Sequence, residues 1–147
     1  MKNLVLAVLF VLGITPAAFS LTLQCNATKT SAAIEDIGVK PGAIDTVARE
    51  SFAIDLDPQS PDMQIKKAEL PSMDSRVTVS YASNVNGAAL STVELDVLDN
   101  YGEVAKESVK AKSSFESQDA AQLSFTLQSL WNEKQNQNSI VVSCRVQ

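Results

Sequence analysis

Histidine is absent from the 147-residue chain, and its absence removes much of the side-chain chemistry that an enzyme uses near neutral pH. Ser-His and Cys-His nucleophile systems, an imidazole base and histidine metal ligands are all excluded. Serine and lysine are abundant, but Ser108 and Ser113 have no lysine three residues further on, as a Ser-x-x-Lys catalytic motif requires. We therefore expect a protein without catalytic activity and without a cofactor.

Carboxylates are the remaining catalytic candidates. Asp55 and Asp57 lie two residues apart on one face of a predicted strand. Their separation of about 7 Å is one that a pair of glycosidase carboxylates can use. The opposite face carries the apolar series Phe52, Ile54 and Leu56. Acidic residues are common on the solvent side of a half-buried strand, so we interpret the pair as surface charge.

A second acidic group surrounds a predicted turn and offers the oxygen ligands that Ca²⁺ prefers. The group consists of Glu94, Asp96, Asp99, Asn100 and Glu103. Its spacing differs from that of the twelve-residue calcium loop, because Leu98 stands two positions after Asp96. Charge around a turn is the better interpretation, and no metal site is predicted.

The two cysteines, Cys25 and Cys144, are predicted to form a disulfide. Cys25 shares one face of an extended segment with Leu21 and Leu23, and Cys144 shares a face with Val142. Both thiols should therefore face the core, where they join a first and a last strand that lie side by side or across a sandwich. Closing so long a loop stabilises by up to ~5 kcal/mol in a chain-entropy treatment. A reactive or metal-binding pair needs closer spacing or neighbouring histidines.

Binding residues are predicted where aromatic and amide side chains accompany loops. Trp131 precedes a polar stretch, Asn132 to Ser139, which we interpret as an exposed loop. Tryptophan offers a large contact area at low entropic cost, which favours a contact anchor. The alternative is that Leu130 and Trp131 cap one end of the core. The predicted binding residues are Trp131, Asn132, Asn86 and Tyr101.

The elements that must position these residues are mostly strands. Period-two alternation collects apolar residues on one face in four segments, Glu50–Asp57, Arg76–Ser83, Val93–Val97 and Ile140–Val146. Gln122–Ser129 alternates too, although residues 120–131 also carry a helical apolar stripe. A strand is preferred there because a helix would leave Phe125 off that stripe. Ser31–Ile37, which ends at Gly38, is compatible with one or two helical turns.

Two turn motifs connect the central strands. Asn86-Gly87 predicts a hairpin turn. Asp99-Asn100-Tyr101-Gly102 predicts a type I turn with glycine at positive φ, so that the chain returns in a strand beginning near Val104. A three-stranded meander from Arg76 to about Val109 follows. Short strands separated by turn residues predict an all-β fold, an antiparallel β-sandwich.

Two stretches resemble bacterial immunoglobulin-like modules. They are the hairpin Val93–Val104 with its Asp99–Gly102 turn, and Val39-Lys40-Pro41-Gly42 ahead of the strand that holds Phe52. The resemblance implies an immunoglobulin-like or related Greek-key sandwich. Antibody-type domains differ from this chain, because their disulfide joins inner strands around a buried tryptophan, whereas these cysteines are terminal.

The first 20 residues have the parts of a secretory signal peptide. Lys2 opens a positive region, an apolar run extends from Leu4 to Ile14, and small residues precede a predicted cleavage after Ser20. The run is shorter than the ~20 residues that span a bilayer, so cleavage is preferred over anchoring. Residues 21–147 are then a single domain, secreted or periplasmic. Asn26-Ala27-Thr28 is a glycosylation sequon that matters only in a eukaryotic source.

Charge narrows the choice of partner. Removal of the predicted signal peptide takes away one basic residue, Lys2. The remaining chain has 11 basic and 17 acidic residues and a net charge of −6. Nucleic acid and anionic membranes select for basic patches, so neither is predicted as a partner. The favoured hypothesis is a non-catalytic binding or structural module for an unknown protein or glycan partner. The alternatives are a pilin-like assembly subunit and a secreted hydrolase inhibitor, and a carboxylate-based glycan hydrolase ranks last.

Overall fold

The computed structural model describes residues 20–33, 44–85, 88–98, 102–103, 111–133 and 136–147. Most of these residues lie in eight strands. They are β1 (Leu21–Ala33), β2 (Ile44–Leu56), β3 (Gln64–Leu70), β4 (Ser75–Val85), β5 (Ala88–Val97), β6 (Ala111–Ser117), β7 (Ser124–Glu133) and β8 (Asn136–Val146). Two short 3-10 turns, Pro71–Met73 and Ala120–Gln122, precede β4 and β7.

The strands form two four-stranded antiparallel sheets, which confirms the all-β sandwich. Sheet A has the order β2-β1-β8-β7 and sheet B the order β3-β4-β5-β6. Strands that follow each other in the chain pair within a sheet, except at the short connections after β2 and β6, which carry the chain from one sheet to the other. This is an up-and-down order, and no Greek-key crossover occurs among the described strands.

The core lies between the sheets and follows the predicted alternation. Inward-facing side chains are buried, and their neighbours along the strand face outward. The most deeply buried include Leu23, Leu56, Leu70, Met73, Val77, Val79, Tyr81, Val93, Leu95, Ile140 and Val142. The apolar faces predicted for β2, β4, β5 and β8 are therefore the faces that form the core.

The predicted disulfide is present and joins adjacent strands. Cys25 on β1 lies directly opposite Cys144 on β8 in sheet A, and the two are bonded across a sequence separation of 119 residues. Both cysteines are buried. Of the two predicted arrangements, side by side within one sheet is the one found.

The polar stretch after Trp131 is not the predicted exposed loop. β7 continues to Glu133 and β8 begins at Asn136, so both arms of this segment are paired strands, with Trp131 opposite Asn138. Backbone hydrogen bonding to β1 and β7 satisfies β8 whatever the polarity of its side chains, which is why composition misled here. The strand preferred for Gln122–Ser129 is confirmed over the helix.

Of the other local predictions, one is confirmed, one is wrong over part of its length, and the rest fall on residues that the structure does not describe. The helical turn that begins at Ser31 is wrong for residues 31–33, because Ser31 pairs with Asp45 and Ala32 with Ile44. β4 and β5 form the predicted hairpin, with Val85 opposite Ala88. Several predicted features lie outside the described residues. They are the turns at residues 86–87 and 99–101, the start of the strand predicted near Val104, residues 34–43, and the predicted signal peptide up to residue 19.

Two further observations bear on the predicted cellular location. The disulfide is compatible with a secreted or periplasmic protein, because oxidising compartments preserve such bonds. Within the described ranges, no helix is long and apolar enough to cross a membrane.

Candidate functional site

The residues predicted to bind a partner do not converge. Trp131 lies on the inner face of β7 and packs, partly buried, against the core, whereas Asn132 is exposed on the outer face of the same strand. Adjacent residues of a strand point to opposite faces, so one ligand cannot contact both side chains from one side of the sheet. Asn86 and Tyr101 lie outside the described residues.

Trp131 belongs to a cluster that connects the two sheets. The Lys29 ammonium lies 5.8 Å from the centroid of the Trp131 ring. It also donates to the carbonyl of Met73 at 3.4 Å and lies 3.8 Å from the Asp74 carboxylate. Lys29 comes from β1 in sheet A, and residues 73–74 belong to the turn between β3 and β4 in sheet B. The cluster therefore joins the sheets at one end of the sandwich.

Two core hydroxyls have no hydrogen-bond partner among the described residues. Tyr81 on β4 and Ser91 on β5 lie opposite each other on the inner face of sheet B, and both are buried. Burial raises the pKa of the Tyr81 phenol above its usual value of 10.0, and the charge of Asp57 raises it further. The alternation predicts Tyr81 in the core, but nothing in the sequence predicts that its hydroxyl stays unpaired.

The acidic residues are engaged in local structure. Asp55 accepts a hydrogen bond from the Thr22 hydroxyl at 2.7 Å, and Asp57, just beyond β2, accepts one from the backbone N–H of Gln59 at 2.9 Å. Asp96 lies 3.6 Å from the guanidinium of Arg76. Within the described part of the chain, no group of acidic or cysteine side chains is arranged to hold a metal ion.

A concave surface lies on sheet A, lined by outward-facing residues of three strands together with Phe115, Phe125 and Cys144, whose side chains face the core. Its volume is about 530 Å³. We call it the sheet A concavity, and its outward-facing polar lining residues are Gln24, Asn26, Ser124, Thr126, Ser143 and Arg145. They come from β1, β7 and β8.

Strand register arranges these six residues in two rows across the sheet. In the first row Arg145 lies between Gln24 on β1 and Ser124 on β7. In the second row, one step along the strands, Ser143 lies between Asn26 and Thr126. Directly opposite residues have Cβ atoms about 4.5–5.5 Å apart, so each row is a continuous line of hydrogen-bonding groups.

Hydrogen bonds hold the second row in place and leave capacity for a ligand. The hydroxyls of Thr126 and Ser143 lie 3.0 Å apart, and Ser51 donates to Oδ1 of Asn26 at 2.8 Å. The Asn26 amide nitrogen carries two further donors. The surface thus offers donors and acceptors on a rigid sheet.

One cation, Arg145, and two aromatic residues, Phe115 and Phe125, complete the lining of the concavity. Arg145 is exposed and forms no ion pair with any described carboxylate. Phe115, from the edge strand β6, lines the concavity and stacks on Phe125 with ring centroids 5.5 Å apart. The arrangement can bind an anionic group at the guanidinium and polar groups along the rows.

Sequence reasoning missed this surface. Its residues come from three segments, 24–26, 124–126 and 143–145, which are far apart in the chain. The available signal was the outward half of each alternation, because each lining residue is next to a core residue such as Cys25, Phe125 or Cys144. That signal shows which way a side chain points but not which strands are neighbours.

Comparison of the chain with protein-family models, with curated proteins and with solved structures gave no match, so the site is interpreted from its own geometry.

Proposed function

We propose that this protein is an exported, non-catalytic β-sandwich that binds a ligand on the outer face of sheet A. The observation that carries the proposal is the sheet A concavity, whose volume of about 530 Å³ falls within the usual range for ligand sites. It is open and mostly polar, so weak binding is expected, because little apolar area is removed from water.

The position of the concavity favours recognition by a rigid surface over recognition by loops. β1 and β8, which supply four of its six polar residues, are the two central strands of sheet A. The Cys25–Cys144 bond joins these strands from the core side. Side chains on such a scaffold are held near their binding positions before the ligand arrives, which lowers the entropic cost of binding.

Export is the second part of the proposal. The predicted leader and the buried disulfide both favour an oxidising compartment, either the periplasm or the exterior. Intact mass of the purified protein tests this part. We expect a chain that starts at Leu21 and is two hydrogen masses lighter than its reduced form. A full-length mass or two free thiols would contradict it.

Nothing in the described structure favours the pilin-like or inhibitor alternatives. A donor-strand subunit needs a gap that a partner strand fills, whereas β1 and β8 pair directly along 11 residue positions. An inhibitor would use a constrained loop, and within the described residues the stretch after Trp131 is a pair of strands. Both hypotheses therefore stay behind the binding module.

Arrays of neutral and acidic oligosaccharides and of peptides test the ligand-binding proposal. We expect a ligand that shifts backbone amide resonances in β1, β7 and β8. Ser143→Trp, which places a large ring in the concavity, should abolish binding. The matched control is Thr92→Trp on the outward-facing side of β5 in sheet B, which should bind normally. Resonance shifts confined to the Lys29 and Trp131 cluster, or no ligand in any array, would overturn the proposal.

A further inference from the structure

The chemistry of the sheet A concavity identifies a class of ligand. We infer that the surface binds an acidic oligosaccharide, with one carboxylate on the Arg145 guanidinium and sugar hydroxyls along the two polar rows. This inference rests on the proposed function and makes it specific.

Arg145 supplies the positive charge of the concavity. Its guanidinium presents five N–H donors in a planar fork that matches a carboxylate. No described carboxylate forms an ion pair with it, whereas Arg76 on the other sheet lies near both Glu69 and Asp96. In a chain with 17 acidic residues, a cation in a concave surface that has no acidic partner among the described residues is suited to an external anion.

Amide and hydroxyl side chains surround the Arg145 guanidinium. Gln24 and Ser124 flank Arg145 in its row, and the next row offers Asn26, Ser143 and Thr126. Amide and hydroxyl groups both donate and accept, as do the hydroxyls of a sugar ring. A volume of about 530 Å³ lies within the range of small-molecule sites.

Strand pairing in sheet A favours a glycan over an extended peptide as the ligand. Peptides commonly bind to sheets by adding a strand to an exposed edge, where backbone groups are unpaired. β1 and β8 are paired on both sides, so their backbone groups are already used. A ligand held over β1 and β8 is therefore recognised by side chains, which here are amides, hydroxyls and a guanidinium, whereas the edge strand β7 pairs with β8 alone among the described strands.

The test uses three carboxylated tetrasaccharides, oligogalacturonate, oligomannuronate and hyaluronan, each beside its methyl ester, which keeps the ring hydroxyls and removes the charge. Titrations followed by amide resonances measure the affinity at physiological salt. At least one carboxylated form should bind about tenfold or more tightly than its ester, which is the value of one charge-assisted pair. Arg145→Gln should remove that preference. Arg49→Gln, an exposed arginine on β2 that does not line the concavity, should keep it.

The outcomes of these titrations test the acidic ligand and the proposed function separately. Equal affinity for acid and ester, or a preference that survives in Arg145→Gln, would overturn the acidic ligand. Ligand binding at β1, β7 and β8 by a neutral sugar would also overturn it, but the proposed function would stand. If none of the carboxylated probes binds at millimolar concentration, the acidic class is wrong, and the arrays described above then decide the proposed function separately.

Discussion

The sequence allows two roles for Trp131, a contact anchor or a cap on the core, and the structure gives its side chain one position. Its ring lies on the inner face of β7, partly buried against the core and 5.8 Å from the Lys29 ammonium. The Lys29 side chain is only 17% exposed, so its charge needs the Met73 carbonyl, the Asp74 carboxylate and the ring face as partners. This position favours the interpretation of Trp131 as a cap on the core.

Trp131→Ala should therefore affect folding more than binding. We expect the free energy of unfolding to fall by about 2 kcal/mol, less than the 3–5 kcal/mol typical of a fully buried tryptophan, because the ring is partly exposed. Ligand affinity at the sheet A concavity should not change. Urea unfolding and amide-resonance titration measure the two effects. A variant with normal stability that has lost ligand binding would instead support the contact-anchor hypothesis.

Tyr81→Phe removes a buried hydroxyl that has no partner among the described residues. Deleting an unpaired polar group should leave stability unchanged at pH 8 or raise it by up to ~1 kcal/mol. The matched control is Ser91→Ala, which removes the opposite hydroxyl. Urea unfolding measures both variants. A loss of more than about 1 kcal/mol in Tyr81→Phe would mean that the hydroxyl is hydrogen-bonded in solution.

The raised pKa of Tyr81 gives this variant a pH signature. Below pH 10 the phenol is neutral in both states and contributes no pH dependence. Between pH 10 and the folded pKa the unfolded chain loses the proton first, so the wild type loses stability as pH rises, by up to ~1.4 kcal/mol per pH unit. Tyr81→Phe lacks this loss and should become relatively more stable at pH 10.5 than at pH 8. An equal difference at both pH values would contradict the raised pKa.

At the scale of elements, edge strands and inner strands are protected differently. β2 is an edge of sheet A, and its register shifts where Lys29 faces Ala48 and Thr30 faces Thr46, so Val47 between them has no partner. A bulge of this kind interrupts the edge and so prevents another chain from extending the sheet there. β3, an edge of sheet B, carries the adjacent exposed residues Lys66 and Lys67, which have the same effect through charge.

β8 is the inner strand whose polar beginning was predicted to be a loop, and a proline tests the difference. Gln137 lies between Ala32 on β1 and Asn132 on β7. Gln137→Pro removes a ladder donor in an inner strand, so we expect a loss of about 3 kcal/mol in urea unfolding. Gln137→Ala, the control, should change stability by less than about 0.5 kcal/mol. A proline variant as stable as the alanine variant would support the hypothesis that this stretch is an exposed loop.

At the scale of the whole molecule, one covalent bond closes the chain on itself. Cys25 and Cys144 connect β1 and β8, which are the first and the last described strands. Every other strand lies between them in sequence, so the bond restricts nearly the entire unfolded chain. The up-and-down order adds pairing between strands that are close in sequence, and β1–β8 is the long-range exception.

Replacing both cysteines by alanine should cost about 3–5 kcal/mol in urea unfolding, because a cross-link over 119 residues removes entropy from the unfolded chain. The reduced wild type separates the cross-link from the packing of the sulfur atoms, since it keeps the atoms and loses the bond. We expect its stability to lie close to that of the double variant. A double variant within about 1 kcal/mol of the oxidised protein would show that closure contributes little.

Much of the fold was predictable because its signals are local. Val77, Val79 and Tyr81 alternate with polar residues, and that period depends only on strand geometry. The helical turn at Ser31 and the loop after Trp131 failed because polar residues have weak local preferences and follow their strand partners. The same reason hid the candidate site, since Gln24, Ser124 and Arg145 become neighbours only through pairing.

The amino-acid sequence by itself determined the fold class, the buried faces and the Cys25–Cys144 bond, because side-chain period and the presence of only two cysteines leave few alternatives. Tertiary structure alone decided the up-and-down strand order, the full lengths of β7 and β8, and the outward surface around Arg145. The physical reason is that alternation sets which way each side chain points, whereas register sets which side chains meet, and register depends on partners more than 100 residues away.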